Sequence, residues 1–96
     1  MKRILLIGPR SFTIEEVETP GLGPGEALVR VQKVGICGPE IHSFRRGSPT
    51  EDGSGGPWTL GNECMGRIAA MGEGVSPTLI GKRVAVEPAI PCGHCV

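Results

Sequence analysis

The residues best suited to chemistry are two cysteines near the end of the sequence, spaced like a metal-binding pair. Cys92 and Cys95 enclose Gly93 and His94, and such a turn brings two sulfurs within reach of one tetrahedral zinc ion. A zinc ion of this kind needs four ligands, so the turn predicts half of a site. A redox pair is the alternative, although the βαβ pattern of thiol oxidoreductases is missing around it. Because the sequence stops at Val96, we interpret it as truncated, with the other ligands further on or in another chain.

A third cysteine, Cys37, stands between a predicted strand and a predicted helix. At the start of a helix, unpaired N–H groups and the helix dipole favour a thiolate, the form that binds metals or attacks carbon. An inert buried thiol is the competing interpretation, and position alone leaves both open. His42 lies about one and a half turns further along the same helix. A lone histidine is more often a surface or packing residue than a catalyst.

Glu63 is a further candidate, because it stands just before a predicted strand that begins at Cys64. A carboxylate at the edge of a strand is usually only solvated, so the position by itself does not assign it a role. Cys64 alternates with Ile68 and Ala70, which predicts a core position without chemistry for this thiol.

Short strands with many turns must position these residues. Sixteen glycines and nine prolines suit such a structure better than a helical bundle. The hydrophobic pattern predicts a buried strand, a half-buried strand with alternating residues, and three further strands, at 4–7, 12–15, 26–34, 64–71 and 83–87. In the third of these, Val29 and Val31 should face one side. The sequence therefore predicts a mainly β barrel or sandwich with one helical segment.

The helix is predicted at Gly38–Gly47 by signals at both of its ends. Proline stands at a plausible first position, Glu40 lies in the first turn, two arginines lie in the last, and glycine follows. Ile41 and Phe44 are three residues apart and should share a buried face. A polar, glycine-rich loop is predicted at 47–57.

Length and charge limit the functions that this sequence can have. Ninety-six residues suffice for one small domain with a thin core. Ten basic and ten acidic side chains, without a block of one sign, predict neither a nucleic-acid nor a membrane partner. The apolar run at 4–7 is shorter than the roughly seven residues of a signal-peptide core, and no segment is long enough to span a membrane. We therefore expect a cytoplasmic protein, whose cysteines serve metal or thiol chemistry rather than disulfides.

Several short motifs follow one another along the sequence in a family-like order. They are Pro24–Glu26, Val34–Gly38 with His42, Leu60–Glu63, Gly72–Val75, Gly81–Val84, and Val86–Pro88 leading to Pro91–Cys95. Together they resemble the N-terminal part of the medium-chain, zinc-dependent alcohol and polyol dehydrogenases, over essentially all of the sequence. Each motif is weak alone, and their order and spacing make the resemblance strong.

The resemblance implies a GroES-like β-barrel over residues 1–96, incomplete at its structural-zinc lobe and without the family's Rossmann cofactor domain. In the family, the cysteine matching Cys37 and the histidine matching Asn62 hold catalytic zinc. The glutamate matching Glu63 lies in or beside that coordination sphere. Cys92 and Cys95 match the first two of four structural-zinc cysteines.

The resemblance also implies a reaction: hydride transfer between an alcohol or polyol and NAD or NADP, with zinc acidifying the alcohol. In this reaction His42 matches the histidine of a proton relay, and His42 and Glu63 are the catalytic candidates. The loop at 47–57 is expected to border the substrate cleft. The resemblance also allows a homo-oligomer.

Three departures from the family pattern fall at the catalytic site. Asn62 replaces a histidine ligand, and an amide oxygen is a poorer zinc donor than imidazole. Pro39 replaces the serine or threonine that starts the proton relay. Glu40 replaces an aspartate that supports the metal ligands.

These departures leave two principal hypotheses. The first is an N-terminal fragment of a zinc- and nicotinamide-dependent dehydrogenase, inactive as the isolated ninety-six residues. The second is a catalytically disabled dehydrogenase-like domain that acts as a binding or structural module. A GroES-type co-chaperonin shares the barrel but would give Cys37, Glu63 and the Cys92–Cys95 pair no purpose.

Overall fold

The computed structural model describes residues 1–47 and 57–94. It is mainly β, with one short helix, as the sequence predicts. The elements are β1 (Lys2–Gly8), β2 (Ser11–Glu16), β3 (Ala27–Val34), α1 (Gly38–Arg46), β4 (Trp58–Thr59), β5 (Cys64–Met71), a 3₁₀ turn (Pro77–Leu79) and β6 (Arg83–Ala85). None of the helices in this described part has the length and apolar character needed to cross a membrane.

The described residues divide into two compact units, each with its own three-stranded antiparallel sheet. Unit 1 comprises Met1–Leu22 and Gly35–Gly61, and its sheet has the order β2-β1-β4. Unit 2 comprises Gly23–Val34 and Asn62–Val96, and its sheet has the order β3-β5-β6. The chain passes from one unit to the other after Leu22, Val34 and Gly61. The composition of the sequence did not indicate this division.

The central strand of unit 1 is β1, and it carries the core of that unit. Leu5 and Leu6 are 7% and 1% exposed, whereas Ile4 and Ile7 remain 43% and 55% exposed. The prediction of a strand here is confirmed, but burial of all four residues is wrong. Because neighbouring residues of a strand face opposite sides, burial of Leu5 and Leu6 shows that both faces are covered in the middle of β1 and not at Ile4 and Ile7.

The edge strand β2 reverses the burial expected from its sequence. Phe12 and Ile14 are exposed, at 54% and 58%, while Thr13 and Glu15 are half-buried. The half-buried, alternating strand is confirmed, but its apolar residues lie on the exposed side. The register against β1 places Glu15 opposite Arg3, and Glu15 accepts a hydrogen bond from the Arg3 guanidinium at 2.9 Å.

The sheet of unit 2 confirms the two best strand predictions. β5 spans the predicted residues, and β3 begins one residue later than predicted. Ile68 is the buried apolar side chain among the described residues of this unit, and Val31 is 50% exposed. The β3–β5 pairing is regular from Val29 to Val31, which keeps both side chains on one side as predicted, and its register shifts lie before and after this stretch. β6 ends at Ala85, two residues before its predicted end.

The helix prediction is accurate to one residue, because its signals are local. α1 spans Gly38–Arg46, and Gly47 follows as the C-cap with φ of 104°. The amide of Gly47 donates to the carbonyl of Ser43 at 2.7 Å. Ile41 is 44% exposed and Phe44 half-buried, so their shared buried face is confirmed only for Phe44.

Candidate functional site

Cys37 is the N-cap residue of α1, as its sequence position predicts. Its backbone is extended, with φ of −102° and ψ of 172°, and its carbonyl accepts the helix's hydrogen bond from Ile41 N at 3.2 Å. The thiol is free and half-buried. This placement puts the sulfur at the start of the helix, beside the first-turn residue Glu40.

Glu40 makes the best-defined polar contacts near Cys37. The residue is buried, at 7% exposure. Oε2 accepts a hydrogen bond from Cys37 N at 3.1 Å and lies 3.7 Å from the Cys37 Sγ, which donates to it. Oε1 accepts from Gly61 N at 2.7 Å. In the sequence Glu40 is an acidic residue in the first helical turn and a substitution for aspartate, and no local signal indicates the bond to Gly61.

The other residues predicted for catalysis are all exposed. His42 lies on α1 of unit 1, where Pro39 occupies the first turn without a side-chain hydrogen-bonding group. Asn62 and Glu63 belong to unit 2 and directly precede β5. The structure thus places Cys37 and His42 in one unit and Asn62 and Glu63 in the other.

The predicted structural-zinc turn lies partly outside the described residues. Cys92 is exposed and follows Pro91 in an irregular segment, and Gly93 adopts a positive φ of 72°, which suits a tight turn. Cys95 and the predicted loop tip at 48–56 lie outside the described ranges. The predicted pairing of the two sulfurs around zinc therefore stays a prediction.

Cys64 is free and half-buried rather than fully in the core. It opens β5, opposite Val34 of β3, and its carbonyl accepts from Val86 N at 2.9 Å. Its backbone therefore carries part of the sheet, and the expectation of a structural residue without chemistry stays a prediction.

A zinc ion does not fit the donors that the described residues bring together. Across 1–47 and 57–94, no three His, Cys, Asp or Glu side chains lie close enough to hold a metal ion. Near Cys37, the carboxylate of Glu40 is occupied by two backbone N–H groups. Cys37 therefore has a hydrogen-bonded carboxylate beside it rather than a second open ligand.

Comparisons with known proteins support the family resemblance that the motifs indicate. The alcohol dehydrogenase GroES-like domain matches residues 23–96. Sorbitol dehydrogenase of Bacillus subtilis is 39% identical over 95 residues, which are 99% of this chain and 27% of that protein. The starvation-sensing protein RspB of Escherichia coli K12 is 42% identical over 95 residues, again 99% and 27%.

A solved structure agrees with these matches. The alcohol dehydrogenase rspB from E. coli CFT073, crystallised with its cofactor NADH, superposes with a TM-score of 0.81 at 41% identity. The superposition covers 99% of this chain and 26% of the other. This chain therefore spans about a quarter of the length of the proteins it resembles.

Proposed function

The chain belongs to the alcohol dehydrogenase GroES-like domain family of the medium-chain, zinc-type dehydrogenases, and from this premise we propose that it is the N-terminal part of a catalytic domain. The reaction proposed for the whole protein is hydride transfer between an alcohol or polyol and NAD or NADP. The observation that carries the proposal is the alignment of 99% of the chain, at 39% identity, with a relative that is a sorbitol dehydrogenase.

Roles are assigned to residues by their position in the family pattern. Cys37 and Glu63 are the proposed ligands of a catalytic zinc, with Asn62 at a third ligand position, and His42 with Glu63 the proposed proton-handling groups. The described residues by themselves do not assemble a cluster of three ligands for this zinc. What the chain itself supplies is Cys37 at the helix start, where Glu40 holds its backbone N–H at 3.1 Å.

Cys92 and Cys95 are proposed as half of a structural zinc site. The support is their spacing and the positive φ of Gly93 between them. We further propose a cytoplasmic homo-oligomer with a small alcohol or polyol as its ligand, and with no nucleic-acid or membrane partner. The balanced charge of ten basic and ten acidic residues supports the exclusions.

Turnover by the protein produced from its complete gene tests the reaction. Sorbitol and simple alcohols are offered with NAD or NADP, and reduced nicotinamide is followed by its absorbance. Cys37→Ser should abolish turnover, because it removes a proposed ligand. Cys64→Ser is the matched control, since Cys64 is also a free, half-buried cysteine, and it should retain most of the activity.

The ninety-six residues produced alone should bind neither NAD nor NADP in a calorimetric titration, because they contain no strand, glycine-rich loop and helix of the dinucleotide-binding kind. Saturable binding would contradict this part of the proposal.

A second candidate function is a disabled dehydrogenase-like module that binds or supports another molecule. Asn62 and Pro39 favour it, because they replace a ligand and a proton-relay hydroxyl in the family pattern. The same turnover assay distinguishes the two candidates. A complete protein that neither oxidises any alcohol or polyol nor retains zinc after mild chelation is the module, and a protein that turns over is the enzyme.

A further inference from the structure

The charged side chains of the unit 2 sheet are all basic, and they come from three separate strands. β3 carries Arg30 and Lys33, β5 carries Arg67, and β6 carries Arg83. None of these three strands contains an aspartate or a glutamate. The sequence holds the basic residues in three separate places, so no run of like charge indicates that they meet.

The strand register places the three arginines in one row across the sheet. Arg30 lies opposite Arg67, and Arg67 lies opposite Arg83. Residues that lie directly opposite in antiparallel strands have their side chains on the same side of the sheet. Lys33 lies opposite Met65, which is two residues from Arg67 in β5 and therefore faces the same side. All four basic residues thus share one side of the sheet, which we call the basic face.

The opposite face of the same sheet is apolar. It carries Val29, Ile68 and Val84, of which Ile68 is buried and the two valines are half-buried. The four residues of the basic face are all exposed. Because the basic face is open rather than concave, it suits a macromolecular partner better than a small ligand, which usually binds in a cleft.

No carboxylate forms an ion pair with the basic face within residues 1–47 and 57–94. The ion pairs in that part of the chain involve Glu15 and Glu16, and both belong to unit 1. Like charges that lie directly opposite in a sheet are unfavourable, and an anionic partner would relieve their repulsion. The summed potential of such clustered cations attracts a partner of opposite charge.

The central arginine of the row is held by the backbone. Nη1 of Arg67 donates to the carbonyl of Gly81 at 2.7 Å, and the amide of Gly81 donates to the carbonyl of Ile68 at 2.8 Å. A guanidinium carries five N–H donors in a rigid fork, so this bond leaves donors for a planar acceptor such as a carboxylate. A carboxylate bound by such a fork accepts two parallel hydrogen bonds, which are stronger than bonds between neutral groups.

We propose that the basic face is a docking surface for an acidic segment of a partner protein. Neighbouring strands lie about 4.8 Å apart, so the row of arginines is about 10 Å long. Alternate residues of an extended segment are about 7 Å apart, so two acidic residues on one side of it fit within the row. Nucleic acid fits less well, because none of the three strands carries an aromatic residue on which bases could stack. Docking at this face does not depend on the proposed reaction.

Fluorescence anisotropy of a labelled oligoglutamate peptide measures docking to the purified protein. The peptide should bind at about 0.1 M salt and be released at about 1 M, where the screening length falls from about 10 to about 3 Å. Arg67→Glu should weaken binding about tenfold or more, because it reverses the central charge of the row. Arg83→Glu, at one end of the row, should weaken it about three- to tenfold.

Arg45→Glu is the matched control for charge. Arg45 is an exposed arginine in the last turn of α1, outside the sheet, and its reversal changes the net charge by the same amount. Binding to this variant should stay within about twofold of the unaltered protein. Arg67→Lys keeps the charge but not the fork, so it should weaken binding about threefold. Urea denaturation checks that Arg67→Glu folds, which is expected because the change removes repulsion between like charges.

Any of three results would overturn the proposal. Equal losses of binding in Arg45→Glu and Arg67→Glu would mean that only the net charge matters. A peptide that does not bind at low salt would exclude the docking surface. Tighter binding of a short DNA duplex than of the peptide, lost in Arg67→Glu, would identify the basic face as a nucleic-acid surface instead.

Discussion

The two compact units hold their proposed functional residues by different means. In unit 1, Cys37 stands at the end of a nine-residue helix and is held by the side chain of Glu40. In unit 2, Asn62 and Glu63 precede an eight-residue strand that is bonded on both sides through its backbone. One substitution can remove a side-chain bridge without disturbing a sheet. The backbone hydrogen bonds between strands change only when a new side chain forces the strands apart.

The largest effect is expected at Gly66, in the middle of β5. A Cβ at this position would lie 2.2 Å from the carbonyl oxygen of Arg30 on the neighbouring strand. Because that atom belongs to the backbone, β3 and β5 must separate, and Gly66→Ala should lower the free energy of unfolding by about 3 kcal/mol. Urea denaturation measures the loss. Gly21→Ala, with no atom within 4 Å of the added Cβ, should change it by no more than about 0.5 kcal/mol.

A smaller effect is expected from the corresponding close approach in unit 1. Gly47 has φ of +104°, and an added Cβ would lie 2.8 Å from the Cδ of Pro9. Gly47→Ala should cost about 2 kcal/mol, from backbone strain and a contact that a loop can partly relieve. The amide signals of α1 and Arg10, which donates to Phe44 O, should shift in NMR spectra. Equal shifts throughout β3 and β5 would contradict the separation of the units.

A third effect concerns the metal, and it follows from the proposed function. Asn62→His should raise zinc affinity at the catalytic position about tenfold or more, because imidazole is a better donor than an amide. Zinc per subunit, measured by elemental analysis after mild chelation, should rise for this variant and stay unchanged for Asn62→Gln. Two tightly held zinc ions in the unaltered protein would show that Asn62 does not weaken the site.

The smallest effect is expected at the ion pair of β1 and β2. Arg3 and Glu15 are 2.9 Å apart, and both side chains are 40% exposed. Glu15→Gln should lower the free energy of unfolding by about 0.5 kcal/mol, since solvent and salt screen such pairs. Glu16→Gln is the control, with a side chain 74% exposed and 4.0 Å from the N-terminal amine. A loss of several kcal/mol at Glu15 would mean that the pair organises β2.

Local signals explain the accurate part of the sequence analysis. The limits of α1 follow from Pro39, Glu40, two arginines and Gly47, each acting within one helical turn. β5 follows from an apolar segment that ends at glycines. The family could be predicted in the same way, because its motifs are short segments that keep their order along the sequence. The sequence by itself therefore determined the helix, the main strands and the family.

Tertiary structure decided which side chains are buried and which distant groups meet. The exposure of Ile7 and Phe12 depends on what covers each side of a sheet, and a strand's own pattern does not contain that information. The bond from Gly61 to Glu40 joins residues 21 positions apart, beyond any helical or strand period. A carboxylate in the first turn of a helix reads in sequence as an ordinary N-terminal signal. Only the tertiary structure makes this carboxylate join two segments, because folding removes its water and places a second backbone N–H beside it.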